Sequence, residues 1–187
     1  GIDPVESGVK EKLIYSNRLH KPLYRIDLIV QEFAAFSKKH QEWRLCIAAE
    51  GEETPKLRAL VSELGIENQV EFAGWLNQQE NNRFYARAGI YVSLPKSDGT
   101  SVSLLEAMAA GCIPVVSDLA SNREWIEDAV NGIIYKPGSN PFETALKIDQ
   151  AKAREKNAEW IKKHALRSNT SRQFFNLYQK LRDENRN

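Results

Sequence analysis

The sequence is poor in most of the features that assign a protein at sight. It has 2 cysteines, 1 methionine and 3 histidines, and no apolar run approaches the length of about 20 residues that spans a bilayer. Cys46 and Cys112 stand far apart in apolar surroundings, without a second thiol or a histidine beside them. They read as reduced core thiols of a cytoplasmic protein rather than a disulfide or a zinc site. His20, His40 and His164 make no metal-ligand cluster with their neighbours, and no metal is expected. Net charge is nearly absent: 26 Lys and Arg face 25 Asp and Glu, a formal +1. No global field draws the chain to nucleic acid or to a membrane, so only local clusters bear on partners. The N-terminus has neither the basic nor the apolar region of a signal peptide.

Catalytic signatures are missing too. There is no G-x-S-x-G elbow and no Cys–His context, the first strand is not followed by G-x-G-x-x-G, and G-x-x-x-x-G-K-[ST] does not occur. These absences argue against a serine or cysteine hydrolase, a dinucleotide dehydrogenase and a P-loop NTPase.

What is present is a soluble globular composition, 42% hydrophobic and 27% charged over 187 residues, enough for one domain with a sizeable core. The polar, Gly- and Pro-broken start reads as a linker over residues 1–11, with the domain running from 12 to 187. Strands are expected at "KLIYSN", "RLCIAA", "QVEFAG", Ile90 to Leu94, "IPVV" and "GIIYK". Helices lie between them, one with Ile26, Ile29, Val30, Phe33 and Phe36 on one face. Thr54 with Pro55 opens another helix, and Ser121 with Glu124 reads as a capping box for a helix through about Ala129. From Asn140 to the end the chain reads as helix, with Trp160, Ile161, Phe174, Phe175, Tyr178 and Leu181 as apolar anchors and C-terminal helices from about 155. Strands of unbroken Ile, Val and Leu alternating with helices predict an α/β fold. The sheet is doubly wound, Rossmann-like and parallel, of about six strands with helices on both faces.

Such a sheet binds ligands where its strand order reverses. In the order 3-2-1-4-5-6 the loop after "KLIYSN" faces the loop after "IYVSL". The first brings Arg18, Lys21 and Arg25; the second carries Asp98 and Gly99 into a helix that opens near Ser101. Free N–H groups at that helix start, opposite three cations, suit a diphosphate. Glu106 lies one turn inside, about 6 Å along the axis, placed to accept from a ribose diol. The same residues also fit a capped helix with a solvated Glu and a loop of ordinary surface charges. Val102, Leu105, Met108, Ala109 and Cys112 share the helix's apolar spacing, with Gly111 closing it. Trp75, after Gly74, fits either a ligand loop or a half-buried rim position.

Asp98 and Glu106 enclose seven residues, and "AMAAG" and "IPVV" follow. The stretch "DGTSVSLLEAMAAGCIPVV" resembles the E-x(7)-E signature of the retaining GT-B-fold glycosyltransferases. In these the segment reads like "EGFGLVLLEAMAAGxPVV". Here the second acid matches and the first is shortened to Asp. Arg18–Leu19 resembles the start of the family's "R-L…K-G" pattern, but Tyr24–Arg25 stand where its Lys–Gly would be.

The resemblance implies one half of a GT-B fold, the domain that binds a nucleotide-sugar, with UDP as the nucleotide. It implies Asp98 as the acid of the reaction and, with Gly99, Thr100 and Ser101, as the contact to the donor sugar. Glu106, Arg18, Lys21 or Arg25, Ser101, Val102 and Ser103 would bind the nucleotide, and Gly74, Trp75 and Leu76 would hold the nucleobase. No cofactor is implied beyond the nucleotide-sugar substrate. The opening "GID" resembles the family's interdomain segment, which implies that an N-terminal acceptor-binding domain is missing and that this chain alone is inactive. The full enzyme would act on a glycan or lipid-linked acceptor in polysaccharide biosynthesis, with peripheral membrane contact. A non-catalytic nucleotide-binding or scaffold module derived from the fold is the alternative.

Overall fold

The computed structural model describes residues 1–3, 6–168, 171, 175, 178, 179 and 182. Six strands, β1 (Glu11–Ser16), β2 (Arg44–Ala48), β3 (Val70–Gly74), β4 (Ala88–Ser93), β5 (Ile113–Ser117) and β6 (Ile133–Tyr135), form one sheet. Every pairing is parallel, as the unbroken apolar strands predict, and the order is β3-β2-β1-β4-β5-β6. The helices are α1 (Ile26–Ser37), α2 (Thr54–Glu63), α3 (Gln78–Arg87), α4 (Val102–Ala109), α5 (Ala120–Arg123), α6 (Pro141–Lys147) and α7 (Gln150–His164).

Alternate strand residues feed two cores. Ile14, Leu45, Ile47, Ile90, Val92, Ile113 and Val115 pack with Ile26, Phe33 and Phe36 of α1 and Phe142 of α6. Leu13, Tyr15, Cys46, Tyr91 and Val116 turn to the other face and meet Tyr85 of α3, Leu104, Leu105 and Met108 of α4, and Ile161 of α7. Apolar residues at both parities are what a sheet covered on both sides demands. Cys46 and Cys112 are buried and free in the second core.

Several local expectations are corrected. Thr54 does not cap α2; the cap position is Glu53, and the Thr54 hydroxyl accepts from the Gly51 N–H and bonds His20 at 2.7 Å. The Ser121–Glu124 box does not form, because α5 lasts 4 residues and the Ser121 hydroxyl donates to the Asp98 carbonyl. A capping box exists instead at Asn77 and Glu80, opening α3. The long C-terminal helix is broken between Lys147 and Gln150, with Asn140 and Asp149 capping α6 and α7. Ile161 is buried, but Trp160, Phe175 and Tyr178 are exposed rather than anchored. Phe174 and Leu181 lie outside the described residues.

The N-terminal stretch is attached to the domain at several points. Ile2 is buried, and its backbone N–H and C=O pair with Ala165 and Arg167. Lys10 points its ammonium at the carbonyls of Tyr85, Ala86 and Ala110, at 2.8, 3.0 and 2.6 Å. These belong to the last turns of α3 and α4, whose final carbonyls have no partner within the helix. One side chain thus closes two helix ends at the closed edge of the domain. Gly111, at φ +81°, makes the left-handed turn that ends α4.

Candidate functional site

The strand order reverses between β1 and β4, and the loops after them meet above the carboxyl end of the sheet. Arg18 crosses that gap. One η nitrogen donates to the Ser101 hydroxyl at 2.8 Å and the other to the Asp98 carboxylate at 2.6 Å. The Tyr24 ring lies 4.5 Å from the guanidinium carbon. The Arg18 and Asp98 side chains are 13% and 25% exposed, so this is a largely desolvated pair. Ser101 is the N-cap residue of α4, but its hydroxyl serves Arg18 and caps nothing. Among the described residues no side chain is seen to accept from the first N–H groups of α4.

The three expected cations do not converge. Arg18 is in place, while Lys21 sits exposed on the turn that Tyr24 closes. Arg25 has φ 49° and sits at the N-cap of α1, and its guanidinium bonds the Leu94 and Pro95 carbonyls and the Ser117 hydroxyl. Those carbonyls follow the central strand and have no sheet partner there, so Arg25 holds the loop. It also lines a separate cleft of about 300 Å³ with Lys96, Asp118 and Tyr135. His20 is fully buried against Phe72 and Thr54.

On the other side of α4, Val102 and Glu106 share the outward face one turn apart. Val102 was expected on the apolar face and is instead 58% exposed; Leu104, Leu105, Ala107 and Met108 do the packing. Glu106 lines a cavity of about 380 Å³ with Val102, Gln78, Asn82, Arg167 and residues Gly1 to Asp3. Its carboxylate accepts from the Gln78 amide at 3.0 Å, and Gln78 also donates to Asn82. Burial raises the Glu106 carboxyl above the ordinary range, with hydrogen bonds from Gln78 and Tyr85 opposing.

Beneath Glu106 runs a buried polar network absent from the sequence reading. The Tyr15 hydroxyl donates to Asn81 at 2.6 Å, and the Asn17 amide donates to Asn81 and to the Tyr85 hydroxyl. Tyr91 donates to Asn17. Burial pushes the Tyr91 hydroxyl up to about 12, and Tyr15 and Tyr85 higher still. All three stay neutral, and their bonds tie α3 to β1 and β4 through Asn17 and Asn81. Tyr85 lies four residues past Asn81 on α3, a spacing that puts both on one face; only that periodicity signalled the network.

Gly74 ends β3 with φ +68°, a conformation a β-carbon disfavours, and its carbonyl accepts from Ala49. Trp75 follows, 66% exposed, and Leu76 packs half-buried on the second core. Gly99 and Thr100 are exposed on the loop before α4. Among the described residues no group of three or more His, Cys, Asp or Glu is arranged to hold a metal ion. No described helix is long and apolar enough to cross a membrane.

Comparison with known proteins agrees with this architecture. The chain is 32% identical over 140 residues to an exopolysaccharide phosphotransferase of Streptomyces coelicolor, covering 73% of this chain and 14% of that protein. The pneumococcal O-GlcNAc transferase solved with UDP and GlcNAc superposes with TM-score 0.80 at 20% identity, covering 98% of this chain and 38% of the other. The C-terminal domain of a glycosyl transferase group 1 family protein from Francisella tularensis gives TM-score 0.76 at 18% identity, covering 89% of this chain and 100% of that domain. The chain thus spans well under half the length of the longer proteins it matches. The profile of the glycosyl transferases group 1 matches residues 4–168, from before the first strand to past the last long helix. With the six-stranded order and the Asp98–Glu106 helix inside that span, the chain belongs to the glycosyl transferases group 1 family.

Proposed function

We propose that this chain is the donor-binding domain of a retaining glycosyltransferase that moves a sugar from a UDP-sugar to a glycan or lipid-linked acceptor. The observation that carries the reading is the pairing, on one helix, of a cationic corner at Ser101 with a carboxylate-lined cavity at Glu106. They are five residues apart, about 7.5 Å along the axis, and a nucleoside diphosphate bridges such a gap from phosphate to ribose. The cavity volume, about 380 Å³, falls within the range of small-molecule sites.

In this reading the α4 N–H groups and Arg18 stabilise charge growing on the leaving diphosphate, the largest contribution in such chemistry. Lys21 is the second cation, free to swing in from its exposed turn; Arg25 acts indirectly by holding the loop. Glu106 accepts from the ribose hydroxyls. Val102 and Ser103 supply first-turn N–H groups. The loop Gly74, Trp75 and Leu76 takes the nucleobase, with the exposed indole as its platform. Asp98, Gly99 and Thr100 meet the sugar. The reading needs no metal, places the protein in the cytoplasm, and leaves the acceptor to a second, N-terminal domain. Residues 1–11 form the connection to it and 12–187 the donor domain. Peripheral contact of the whole enzyme with a membrane follows if the acceptor is lipid-linked.

Calorimetry on the chain tests this directly. UDP should bind with a Kd between about 1 mM and tens of micromolar, about 4–6 kcal/mol, and uridine much more weakly, while the chain alone transfers no sugar. Equal binding of uridine and UDP refutes the diphosphate site. The second reading, a non-catalytic nucleotide-binding module, is favoured by the Arg18–Asp98 pair, which occupies both groups with each other. Turnover by the chain joined to an N-terminal domain separates the two.

A further inference from the structure

We infer that Asp98 is an internal counter-anion held where the diphosphate binds, and that it biases the site toward loaded donor over bare nucleoside diphosphate. This rests on the nucleotide reading above. Two of the five guanidinium N–H bonds of Arg18 are taken, one η nitrogen donating to Asp98 and the other to Ser101, and Tyr24 covers a face at 4.5 Å. Its Nε is buried without a partner, and only 13% of the side chain is exposed. With so little of the side chain exposed, a phosphate that reaches the guanidinium must displace one of the three groups around it.

Ser101 is fixed as the N-cap residue of α4, and Tyr24 is half-buried in the turn before α1. Asp98 is the group that can leave. Its loop is exposed at Ser97, Gly99 and Thr100, and a β-carbon on Gly99 would meet nothing within 4 Å. The backbone is pinned by Ser121 on the Asp98 carbonyl and by Lys96 N–H on the Leu23 carbonyl. The carboxylate can therefore rotate away while the loop stays in place.

Eviction leaves a carboxylate beside an incoming anion of greater charge, an unfavourable arrangement unless the carboxylate finds donors. Sugar hydroxyls on the diphosphate are such donors, and a bare nucleoside diphosphate brings none. Asp98 thus opposes the spent nucleotide more than the loaded one.

The experiment is calorimetry on the wild-type chain and Asp98→Asn with UDP, GDP, UDP-glucose, UDP-N-acetylglucosamine and GDP-mannose. Asp98→Asn should bind the bare nucleoside diphosphate about tenfold tighter. At least one matching nucleotide-sugar should gain no more than about threefold. Bare nucleotide binding that is unchanged or weaker in Asp98→Asn, with the wild type binding, overturns the inference and leaves the nucleotide reading standing. An equal gain for the bare nucleotide and every nucleotide-sugar overturns the bias. No binding by either protein refutes the nucleotide reading itself. Asp98→Ser, which also removes the charge, must behave alike, with melting curves confirming that both variants fold.

Discussion

Two carboxylates flank the first two turns of α4 in opposite circumstances. Asp98 stands against a guanidinium at 2.6 Å, its charge matched by a partner 80 residues away in the chain. Among the described residues Glu106 makes no ion pair; its carboxylate accepts from an amide, and burial raises its pKa. The same chemical group is thus a counter-ion in one place and a hydrogen-bond acceptor in the other. What separates them is the neighbour, not the exposure, since both are half-buried. A site for a molecule that is anionic at one end and rich in hydroxyls at the other needs both arrangements.

The hardest test of that contrast is to remove the cation. Arg18→Ala should weaken UDP binding by on the order of 3 kcal/mol, since charge-assisted bonds to phosphate are lost. Uridine binding should barely change, and the loss should shrink as salt rises. Equal losses for UDP and uridine in calorimetry would make Arg18 a support of the fold instead.

Next in size is Glu106→Gln, which keeps the shape and removes the charge. UDP affinity should fall by about 1–3 kcal/mol, the worth of a hydrogen bond to a charged group. Stability should stay level or rise, because the folded state disfavours the Glu106 charge. Calorimetry and thermal melts together read the two effects. A fall in both would show a structural role.

A pH series sharpens the same point. The folded protein holds the Glu106 proton more tightly than the unfolded chain does, because its pKa is raised. Its contribution to stability is therefore most favourable below the ordinary Glu range and is lost as pH rises through the raised value. Nucleotide binding runs the other way, weakening as pH falls through that window, where the carboxylate protonates. The difference between wild-type and Glu106→Gln titration curves isolates it; parallel curves would remove Glu106 from the binding step.

The smallest effect is expected from Gln78→Ala. It frees the Glu106 carboxylate of a 3.0 Å bond and should cost UDP affinity about 0.5–1.5 kcal/mol, the scale of a neutral hydrogen bond. Affinity for 2′-deoxy-UDP should change less. An equal loss for both would place Gln78 outside the ribose contact.

Much of the fold was legible in sequence. Ile14, Ile47, Ile90 and Val115 beside Tyr15, Cys46, Tyr91 and Val116 give strands apolar at both parities, and that alone requires a sheet covered on two faces. The α1 face from Ile26 to Phe36 was equally plain. Glu106 was legible because its place depends on one helix. Boundaries failed where a side chain had competing partners: the Ser121 hydroxyl goes to Asp98 and not to its own helix. Thr54 likewise serves Gly51 and His20.

What the chain's own pattern determined, then, is a sheet covered on both faces and the helix that carries the acids. These follow from periodicities of two and 3.6, which are local and survive in any context. Tertiary structure alone decided what each charge faces. Arg18 reaches Asp98, Arg25 turns to the Leu94 carbonyl, and Lys10 closes the ends of α3 and α4, across 80, 69 and up to 100 residues. Long cationic side chains have several partners within reach of almost any backbone path. Which one they take depends on which carbonyl or carboxylate the fold leaves unpaired beside them.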